Sequence, residues 1–306
     1  MSLIKVNRCG IKVQDLGEGG AVLLVHGWPD THQIWRHQAE ALTASGYRVV
    51  APDLRGFGES EKPKKIKDHS LLHHVGDLIG VMDHLHVDRI HVVGHDWGAT
   101  IAVLLAALRP SRVATLTCIS VGHPRAMAAA GLRQREKSWY SLLFQFQDVA
   151  ERWLSENNFA NFRTLSRHPD PDPVIGRFRD PDALTAGLGI YRAASPPETL
   201  LQPSAPEPAP PLIPVPTMGI WGSADPTVVE SAMTGTAAYV TGRWTYERIE
   251  GAGHWPQVEK PEQINQLLLS LLAQHPATSN ATLPQAEPGA PQKAIEPSAE
   301  VGPGYR

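Results

Sequence analysis

The most constraining stretch of this sequence is residues 90–100, where an apolar strand pattern turns abruptly into a helical pattern. Ile90–Val93 is an apolar β-type run, Gly94 and Gly98 flank a central position, and an alanine-rich helical pattern follows. Small residues are needed on both sides of such a turn, because a Cβ atom would clash with the neighbouring strand and helix. The central residue is Asp96, where serine is the usual nucleophile. The stretch predicts a strand-to-helix elbow that presents a carboxylate at a helix N-terminus, where negative charge is stabilised.

The order of strand and helix patterns along the chain is typical of an α/β protein. The strand patterns are a hairpin over residues 2–15 that turns at Cys9-Gly10, and single strands at 21–25, 47–51, 90–93, 113–120, 215–221 and 244–249. The run at 21–25 is apolar throughout, as expected for a strand that is buried on both faces. Helical patterns separate the first single strands, and this alternation predicts a parallel sheet with right-handed crossovers.

Changes in pattern and composition divide the chain into five segments. The core is predicted in two parts, residues 1–121 and 215–275. A helical cap is predicted at 122–202, because that block has helical patterns and no good strand pattern. Residues 203–214 are dense in proline and predict a stiff connector. Residues 276–306 have few large apolar side chains, which predicts a disordered tail, since such a segment buries too little surface to fold.

Composition argues against several classes of function. The 306 residues carry a formal net charge of −3, so charge indicates neither a nucleic acid partner nor a membrane surface. No uncharged apolar run approaches the ~20 residues of a transmembrane helix, and the N-terminus lacks the apolar core of a signal peptide. The two cysteines, Cys9 and Cys118, form no disulfide framework, which favours a reducing compartment. We expect a cytoplasmic monomer or homodimer.

Three polar residues follow predicted strands in the order nucleophile, acid and histidine. Asp96, Asp225 and His254 each come just after a strand pattern, and the carboxyl ends of parallel strands meet at one edge of a sheet. This order is expected when an elbow nucleophile works with a histidine that an acid orients. The backbone N–H groups of Trp28 and Trp97 are predicted to form an oxyanion hole, in which each donor contributes roughly 3–4 kcal/mol.

A carboxylate at the elbow restricts the chemistry that this site is able to catalyse. A serine that attacks saturated carbon leaves an ether that water does not cleave, whereas a carboxylate leaves an ester. Water activated by His254 then attacks the ester carbonyl of Asp96. The residues therefore predict alkyl transfer, either opening of an epoxide or displacement of a halide, with no metal and no organic cofactor. The non-enzymatic alternative is a protein that binds ligands and has a purely structural Asp96.

The sequence resembles the epoxide hydrolases of the α/β-hydrolase superfamily over about residues 10–274. The matching motifs are His26-Gly27-Trp28-Pro29, Asp53-Leu54-Arg55-Gly56-Phe57-Gly58-Glu59-Ser60, Gly94-His95-Asp96-Trp97-Gly98-Ala99, the Asp225 loop and Gly253-His254-Trp255. The resemblance implies an α/β-hydrolase fold, that is, a mostly parallel eight-stranded sheet flanked by helices, with an inserted helical cap. It also implies a small-molecule epoxide and water as the substrates. The elbow motif is shared with haloalkane dehalogenases and does not by itself distinguish the two families.

Two tyrosines of the predicted cap favour the epoxide hydrolases. The segments 138–145 and 188–193 resemble the two cap segments of that family whose tyrosines bind the epoxide oxygen. The resemblance implies this role for Tyr140 and Tyr191, and phenols are suited to donate hydrogen bonds and then a proton. Dehalogenases bind halide with donors such as an Asn in the His-Gly-x-Pro loop, where this chain has Trp28. An epoxide hydrolase is the first hypothesis, and a haloalkane or haloacid dehalogenase with the same nucleophile is the alternative.

Two features depart from the epoxide hydrolase pattern. Ile190 precedes the second tyrosine, where an aromatic residue is expected, and the proline-rich stretch 203–214 is longer than typical. Both departures concern the shape of the cap and the choice of substrate more than the reaction.

The many histidines invite a metal-site interpretation. His69, His73 and His74 lie close together in the sequence. Their spacing provides no compact set with a third ligand, as a metal site requires, so we predict no metal.

Overall fold

The structure, a computed structural model, describes residues 1–197 and 212–276. Its strands are β1 (Ser2–Val6), β2 (Cys9–Leu16), β3 (Gly20–Val25), β4 (Tyr47–Pro52), β5 (Ile90–His95), β6 (Val113–Ile119), β7 (Thr217–Gly222) and β8 (Trp244–Ile249). They form one eight-stranded sheet in the order β1-β2-β4-β3-β5-β6-β7-β8. β2 is antiparallel to both of its neighbours, and all other pairs are parallel. The predicted mostly parallel eight-stranded sheet is confirmed.

Helices flank the sheet and fill the chain between β6 and β7. The described α-helices are α1 (Arg36–Ala44), α2 (Leu71–His84), α3 (Trp97–Leu108), α4 (Pro124–Ala129), α5 (Gly131–Lys137), α6 (Tyr140–Leu143), α7 (Val149–Ser166), α8 (Pro171–Phe178), α9 (Pro181–Ala194), α10 (Glu230–Thr234), α11 (Pro256–Glu259) and α12 (Pro261–Gln274). Within the two described ranges, no helix has both the length and the apolar character needed to cross a bilayer. Helices α4 to α9 occupy the region of the predicted cap. The exact domain boundaries stay a prediction, and residues 203–211 of the connector and 277–306 of the tail lie outside the described residues.

Alternate side chains of the central strands belong to two hydrophobic cores, one on each face of the sheet. In β3, Leu23 and Val25 belong to one core and Val22 and Leu24 to the other, and all four are fully buried. Successive side chains of a strand point to opposite faces, so a strand that is covered on both sides must be apolar throughout. Helices α2 and α3 pack in the first core, and α1 and α12 pack in the second.

Aromatic side chains join the cap helices to the sheet at Trp28, which follows β3. The Trp28 ring centroid lies 5.3 Å from that of Phe144, 5.8 Å from that of Phe162 and 6.3 Å from that of Phe178. Phe144 directly follows α6, and the other two rings lie in α7 and α8. Each such pair contributes about 0.5–1.5 kcal/mol beyond its buried area. Three separate parts of the cap are therefore anchored above the carboxyl end of β3.

The predicted turn of the N-terminal hairpin at Cys9-Gly10 is wrong. The turn residues are Asn7 and Arg8, whose φ angles are +47° and +60°, and Val6 pairs with Cys9. Asn adopts the left-handed backbone more readily than most residues, and the Asn7 side chain donates to the His73 carbonyl oxygen and to Asp77 Oδ1, both at 3.2 Å. Gly10 lies within β2 instead, where its carbonyl accepts a hydrogen bond from the Glu61 N–H at 2.8 Å.

The elbow at the end of β5 depends on close backbone approach. Asp96 has a φ of +53° and a ψ of −125°, and α3 begins at the next residue. A Cβ on Gly98 would overlap the carbonyl oxygens of Val25 and His26, and a Cβ on Gly94 would overlap the carbonyl oxygen of Gly98. Helix α3 thus packs directly against the ends of β3 and β5. Asp96, the residue with the strained backbone, carries the carboxylate.

We expect Gly98→Ala to lower the free energy of unfolding by about 3 kcal/mol, because the added methyl meets backbone atoms that cannot rotate away. The matched control is Gly176→Ala in α8, where a Cβ meets no atom within 4 Å. That variant should gain about 0.5–1 kcal/mol from helix propensity. Urea unfolding of both variants measures the difference, and equal stabilities would contradict the close packing described here.

Candidate active site

The three residues predicted as nucleophile, acid and histidine lie together at the carboxyl edge of the sheet. Asp96 follows β5, Asp225 follows β7 and His254 follows β8. His254 Nδ1 lies 2.8 Å from Asp225 Oδ2, and His254 Nε2 lies 3.4 Å from Asp96 Oδ2. Each of the three residues is at most 9% exposed. One imidazole is therefore placed between two buried carboxylates.

The two carboxylates decide the protonation of the imidazole. Burial by itself would lower the pKa of His254, but the charge and hydrogen bond of Asp225, with a further contribution from Asp96, raise it to about 10. Burial would raise the pKa of Asp225, but the contact with His254 and the hydrogen bonds from Thr227 lower it below its ordinary value. At neutral pH the resting site therefore holds an imidazolium between two carboxylates.

Asp225 is held by a turn that includes Thr227, a residue that sequence reasoning missed. Its Oδ1 accepts hydrogen bonds from the Thr227 N–H at 2.7 Å, the Thr227 hydroxyl at 2.8 Å and the Val228 N–H at 3.0 Å. The Thr227 Oγ1 also lies 2.8 Å from His254 Nδ1. An Asp that bonds the backbone two residues later is a common turn pattern, and the Asp-Pro-Thr sequence is the signal that points to it.

The backbone of His254 is fixed by two further residues that were not predicted. Its carbonyl oxygen accepts from the Ser120 hydroxyl at 2.7 Å and lies 2.8 Å from His95 Nε2. Ser120, just after β6, has a φ of +66°. Burial and the charge of His254 lower the pKa of His95 to about 4, so its ring is neutral and Nε2 carries the donating hydrogen. Ser120 is the last residue of the predicted strand 113–120, and this place at the end of a strand is its sequence signal.

One of the two backbone donors predicted for the oxyanion hole bonds to Asp96 in the structure. The Trp28 N–H donates to Asp96 Oδ1 at 2.9 Å. Trp97, the second predicted donor, is the first residue of α3, where backbone N–H groups have no partner within the helix. A Cβ on Gly27 would overlap Asp96 Oδ1, so glycine is required for the loop to come this close.

The two predicted cap tyrosines meet above Asp96. Their ring centroids lie 6.2 Å apart, and the Tyr191 ring lies 5.1 Å from that of Trp97. Burial raises the pKa of Tyr140 and of Tyr191 well above the ordinary range, and the negative charge of Asp96 raises both further. Each phenol therefore keeps its proton at neutral pH and is available as a hydrogen-bond donor.

A cavity of about 550 Å³ connects these groups to the surface of the cap. Asp96, Tyr140, Tyr191 and Thr227 line it, together with apolar side chains such as Val121 and Met127. This volume lies within the usual range for small-molecule sites. Further polar side chains of the lining include Thr100, Arg135, Ser138 and Gln145, so a ligand in this cavity would meet apolar and polar groups together.

The chain is similar to known proteins along most of its length. A family described as the alpha/beta hydrolase fold matches residues 20–261. Epoxide hydrolase A from Mycobacterium tuberculosis is 32% identical, over 88% of this chain and 96% of that protein. An epoxide hydrolase from Caballeronia sordidicola is 30% identical, over 88% of this chain and 92% of that protein. The chain belongs to the epoxide hydrolases of the α/β-hydrolase superfamily.

Solved structures of this family agree with the fold. A mutant of an epoxide hydrolase from Bacillus megaterium superposes with a TM-score of 0.79 at 29% identity, covering 89% of this chain and 100% of that one. A further mutant of an epoxide hydrolase from Bacillus megaterium, in complex with its product, a naphthyloxy propanediol, has a TM-score of 0.76 at 29% identity, with coverage of 89% and 100%. The predicted α/β-hydrolase fold is thus confirmed.

A second buried polar cluster of this enzyme links the cap to the loop of His254. Asp30 Oδ1 lies 3.0 Å from His168 Nε2, and the Trp255 indole N–H donates to Asp30 Oδ2 at 2.9 Å. Burial would raise the pKa of Asp30, but the contacts with His168 and Trp255 lower it to about 2. Asp30 lies two residues after Trp28, His168 follows α7, and Trp255 adjoins His254. Sequence reasoning missed this cluster, because its members are far apart in the chain.

We expect the protein to lose stability as the pH rises from 6.5 towards 10. A histidine whose pKa is raised on folding stabilises the fold fully below its unfolded pKa, and this contribution is lost as the pH passes the folded value. For His254 these two values are 6.5 and about 10. His254→Gln cannot titrate, so its Tm should fall less than that of the wild type over this window. Parallel Tm profiles for the two proteins would contradict the charged state assigned to His254.

Proposed function

We propose that this enzyme opens epoxides to vicinal diols in two steps, through a covalent ester on Asp96. The observation that carries the proposal is a buried carboxylate at the elbow, 3.4 Å from the imidazole of His254 and beneath two protonated phenols. The assignment of Asp96, Asp225, His254, Tyr140 and Tyr191 as catalytic residues is part of this proposal.

In the first step, Asp96 Oδ2 attacks the less hindered carbon of the epoxide and the carbon–oxygen bond of the ring breaks. Oδ1 is already engaged by the Trp28 N–H, which leaves Oδ2 for the attack. The phenols of Tyr140 and Tyr191 donate hydrogen bonds to the epoxide oxygen, and one of them transfers a proton as that oxygen becomes an alkoxide. The ester and a tyrosinate are formed.

Loss of the Asp96 charge prepares the second step. The carboxylate of Asp96 contributes to the raised pKa of His254, so esterification removes one of the charges that stabilise the imidazolium. His254 then releases its proton, which restores the neutral phenol, and the free imidazole becomes a base. Asp225 continues to hold Nδ1, so Nε2 is the atom that accepts the next proton.

In the second step, His254 Nε2 takes a proton from water as the water oxygen attacks the ester carbonyl of Asp96. The resulting oxyanion on Oδ1 accepts hydrogen bonds from the N–H groups of Trp28 and Trp97, and each such donor contributes roughly 3–4 kcal/mol. Collapse breaks the bond to the alkyl oxygen, which takes its proton from His254. The diol leaves and the oxygen of the water remains in Asp96. The second proton of the water passes from the Asp96 carboxyl to His254, which restores the imidazolium and the carboxylate.

Single turnover in ¹⁸O-labelled water, with enzyme in excess over substrate, tests this sequence of steps. We expect an unlabelled diol and label in the peptide that contains Asp96, because the water attacks the enzyme ester and not the epoxide. Mass spectrometry of product and peptide measures both, and repeated turnover, which should label the diol, is the control. Label in the diol at the first turnover would exclude the ester, and halide release without epoxide turnover would favour the dehalogenase.

We expect Tyr140→Phe combined with Tyr191→Phe to slow ester formation by about 10²-fold or more, since a general acid contributes at least that factor. Hydrolysis of a preformed ester should change little, because the phenols act on the epoxide oxygen before the ester is hydrolysed. Tyr47→Phe, at the start of β4 and far from Asp96, is the matched control. Stopped-flow measurement of the two rates separates the steps, and wild-type ester formation in the double variant would contradict the assignment.

The apolar cavity supports small epoxides with an apolar body as substrates. Side chains such as Leu71, Val121, Met127 and Leu142 line it beside Asp96 and the two tyrosines, so much of the ligand surface would contact apolar side chains. The cytoplasmic location, and the choice between monomer and homodimer, stay predictions from the sequence.

A further inference from the structure

One buried side chain outside the proposed catalytic residues, Gln134, joins the cap to the loop of Asp225. It lies in α5, is 4% exposed, and uses both ends of its amide. Its Nε2 donates to the Thr227 carbonyl oxygen at 2.8 Å and to Ser138 Oγ at 2.6 Å. Its Oε1 accepts from the Val229 N–H at 2.9 Å. The amide thus replaces water for two backbone groups of the loop.

The contact with Thr227 acts on a peptide group that holds Asp225. The Thr227 carbonyl and the Val228 N–H belong to one planar peptide unit and point in opposite directions. The Val228 N–H donates to Asp225 Oδ1 at 3.0 Å, while Gln134 donates to the carbonyl on the other side. Rotation of this unit would break both bonds together. A donor at the carbonyl also polarises the peptide and strengthens its N–H bond.

The contact with Ser138 acts on the segment that carries Tyr140. Ser138 directly follows α5, and its carbonyl accepts the Ser141 N–H at 2.9 Å, which closes the turn around Tyr140. Both Ser138 and Tyr140 line the active-site cavity. A shift of Ser138 therefore shifts the phenol relative to Asp96.

We propose that Gln134 is a positioning residue for both chemical steps, an inference that rests on the two-step function proposed above. Its bond to the Thr227 carbonyl aligns the peptide that orients Asp225, and hence His254, for hydrolysis of the ester. Its bond to Ser138 aligns Tyr140 for opening of the epoxide. Gln134 thus helps to fix the position of the cap relative to the acid loop, together with Lys137 of the same helix, whose Nζ donates to the Asp225 carbonyl oxygen at 2.5 Å.

Single-turnover kinetics with 1-naphthyl glycidyl ether measure ester formation and ester hydrolysis separately. Gln134→Met keeps the length of the side chain and removes both ends of the amide. Both rate constants should fall roughly 10- to 100-fold, since small displacements of reacting groups have effects of that size. The matched control is Gln274→Met, which removes an exposed amide that bonds a serine four residues away at the end of α12. Both of its rate constants should equal those of the wild type.

Two further variants divide the roles of the amide and remain informative if Gln134→Met does not fold. In Gln134→Glu, the carboxylate accepts from the Val229 N–H and the Ser138 hydroxyl but cannot donate to the Thr227 carbonyl. Hydrolysis should slow while ester formation stays near the wild-type rate. Ser138→Ala should have the opposite effect, with slower ester formation and unchanged hydrolysis.

The amount of ester formed gives the concentration of active enzyme, and each rate constant is expressed per active enzyme. Loss of folded protein then does not imitate loss of positioning. Unchanged rate constants in Gln134→Met, with a lower Tm alone, would overturn the proposal and leave Gln134 a structural residue. Slowing of the same step by Gln134→Glu and Ser138→Ala would also overturn it. Failure of the proposed function is a separate result, because the wild type itself would then form no ester.

Discussion

An imidazolium held between two buried carboxylates is the interaction on which the rest of the site depends. Buried charges are costly unless each has a partner and its remaining bonding positions are filled. His254 has Asp225 on one side and Asp96 on the other. The carboxylates are in turn held by backbone N–H groups, from Thr227 and Val228 for Asp225 and from Trp28 for Asp96. The loops after β3, β7 and β8 are therefore arranged around one imidazolium and its two carboxylates.

The sheet order explains how this pattern is assembled. β6 lies between β5 and β7, so the residues that follow those two strands are separated by the width of an intervening strand. The residue after β6 is Ser120, whose hydroxyl binds the backbone of His254 and so supports the loop that crosses above it. The strained backbone at Ser120 and at Asp96 is maintained by these contacts, as is common where side chains must be aimed at a site.

The cap completes the site with groups of a different kind. Its phenols stay protonated because burial and the charge of Asp96 raise their pKa values. In the proposed cycle, the charge of Asp96 disappears when the ester forms, and this lowers the pKa of His254 at the moment when a base is needed. The same carboxylate thus influences the acid of the first step and the base of the second. The phenols, Asp96 and His254 stay close to one another because the cap is in fixed contact with the core. These contacts are made by Trp28, Asp30 and Gln134.

Most of the fold, and the residues that meet at the site, were predictable from local patterns. Continuous apolar runs such as that of β3 indicate a strand buried on both faces, and glycines around Asp96 indicate an elbow. Asp225 and His254 were found because each follows a strand, and parallel strands share an edge. The hairpin turn was wrong because Gly10 was taken as the turn residue, whereas Asn7 adopts the left-handed backbone and Gly10 accommodates Glu61. Thr227 was missed although its turn pattern was visible.

The sequence by itself determined the sheet, the elbow and the carboxylate that implies alkyl transfer, because strand periodicity, glycine sterics and side-chain chemistry act over a few neighbouring residues. Only the tertiary structure decided which groups hold the site together. Asp30 with His168, Ser120 with His254, and Gln134 with Thr227 each join residues that are 93 or more positions apart. Such contacts form when distant segments pack, and no local pattern records them.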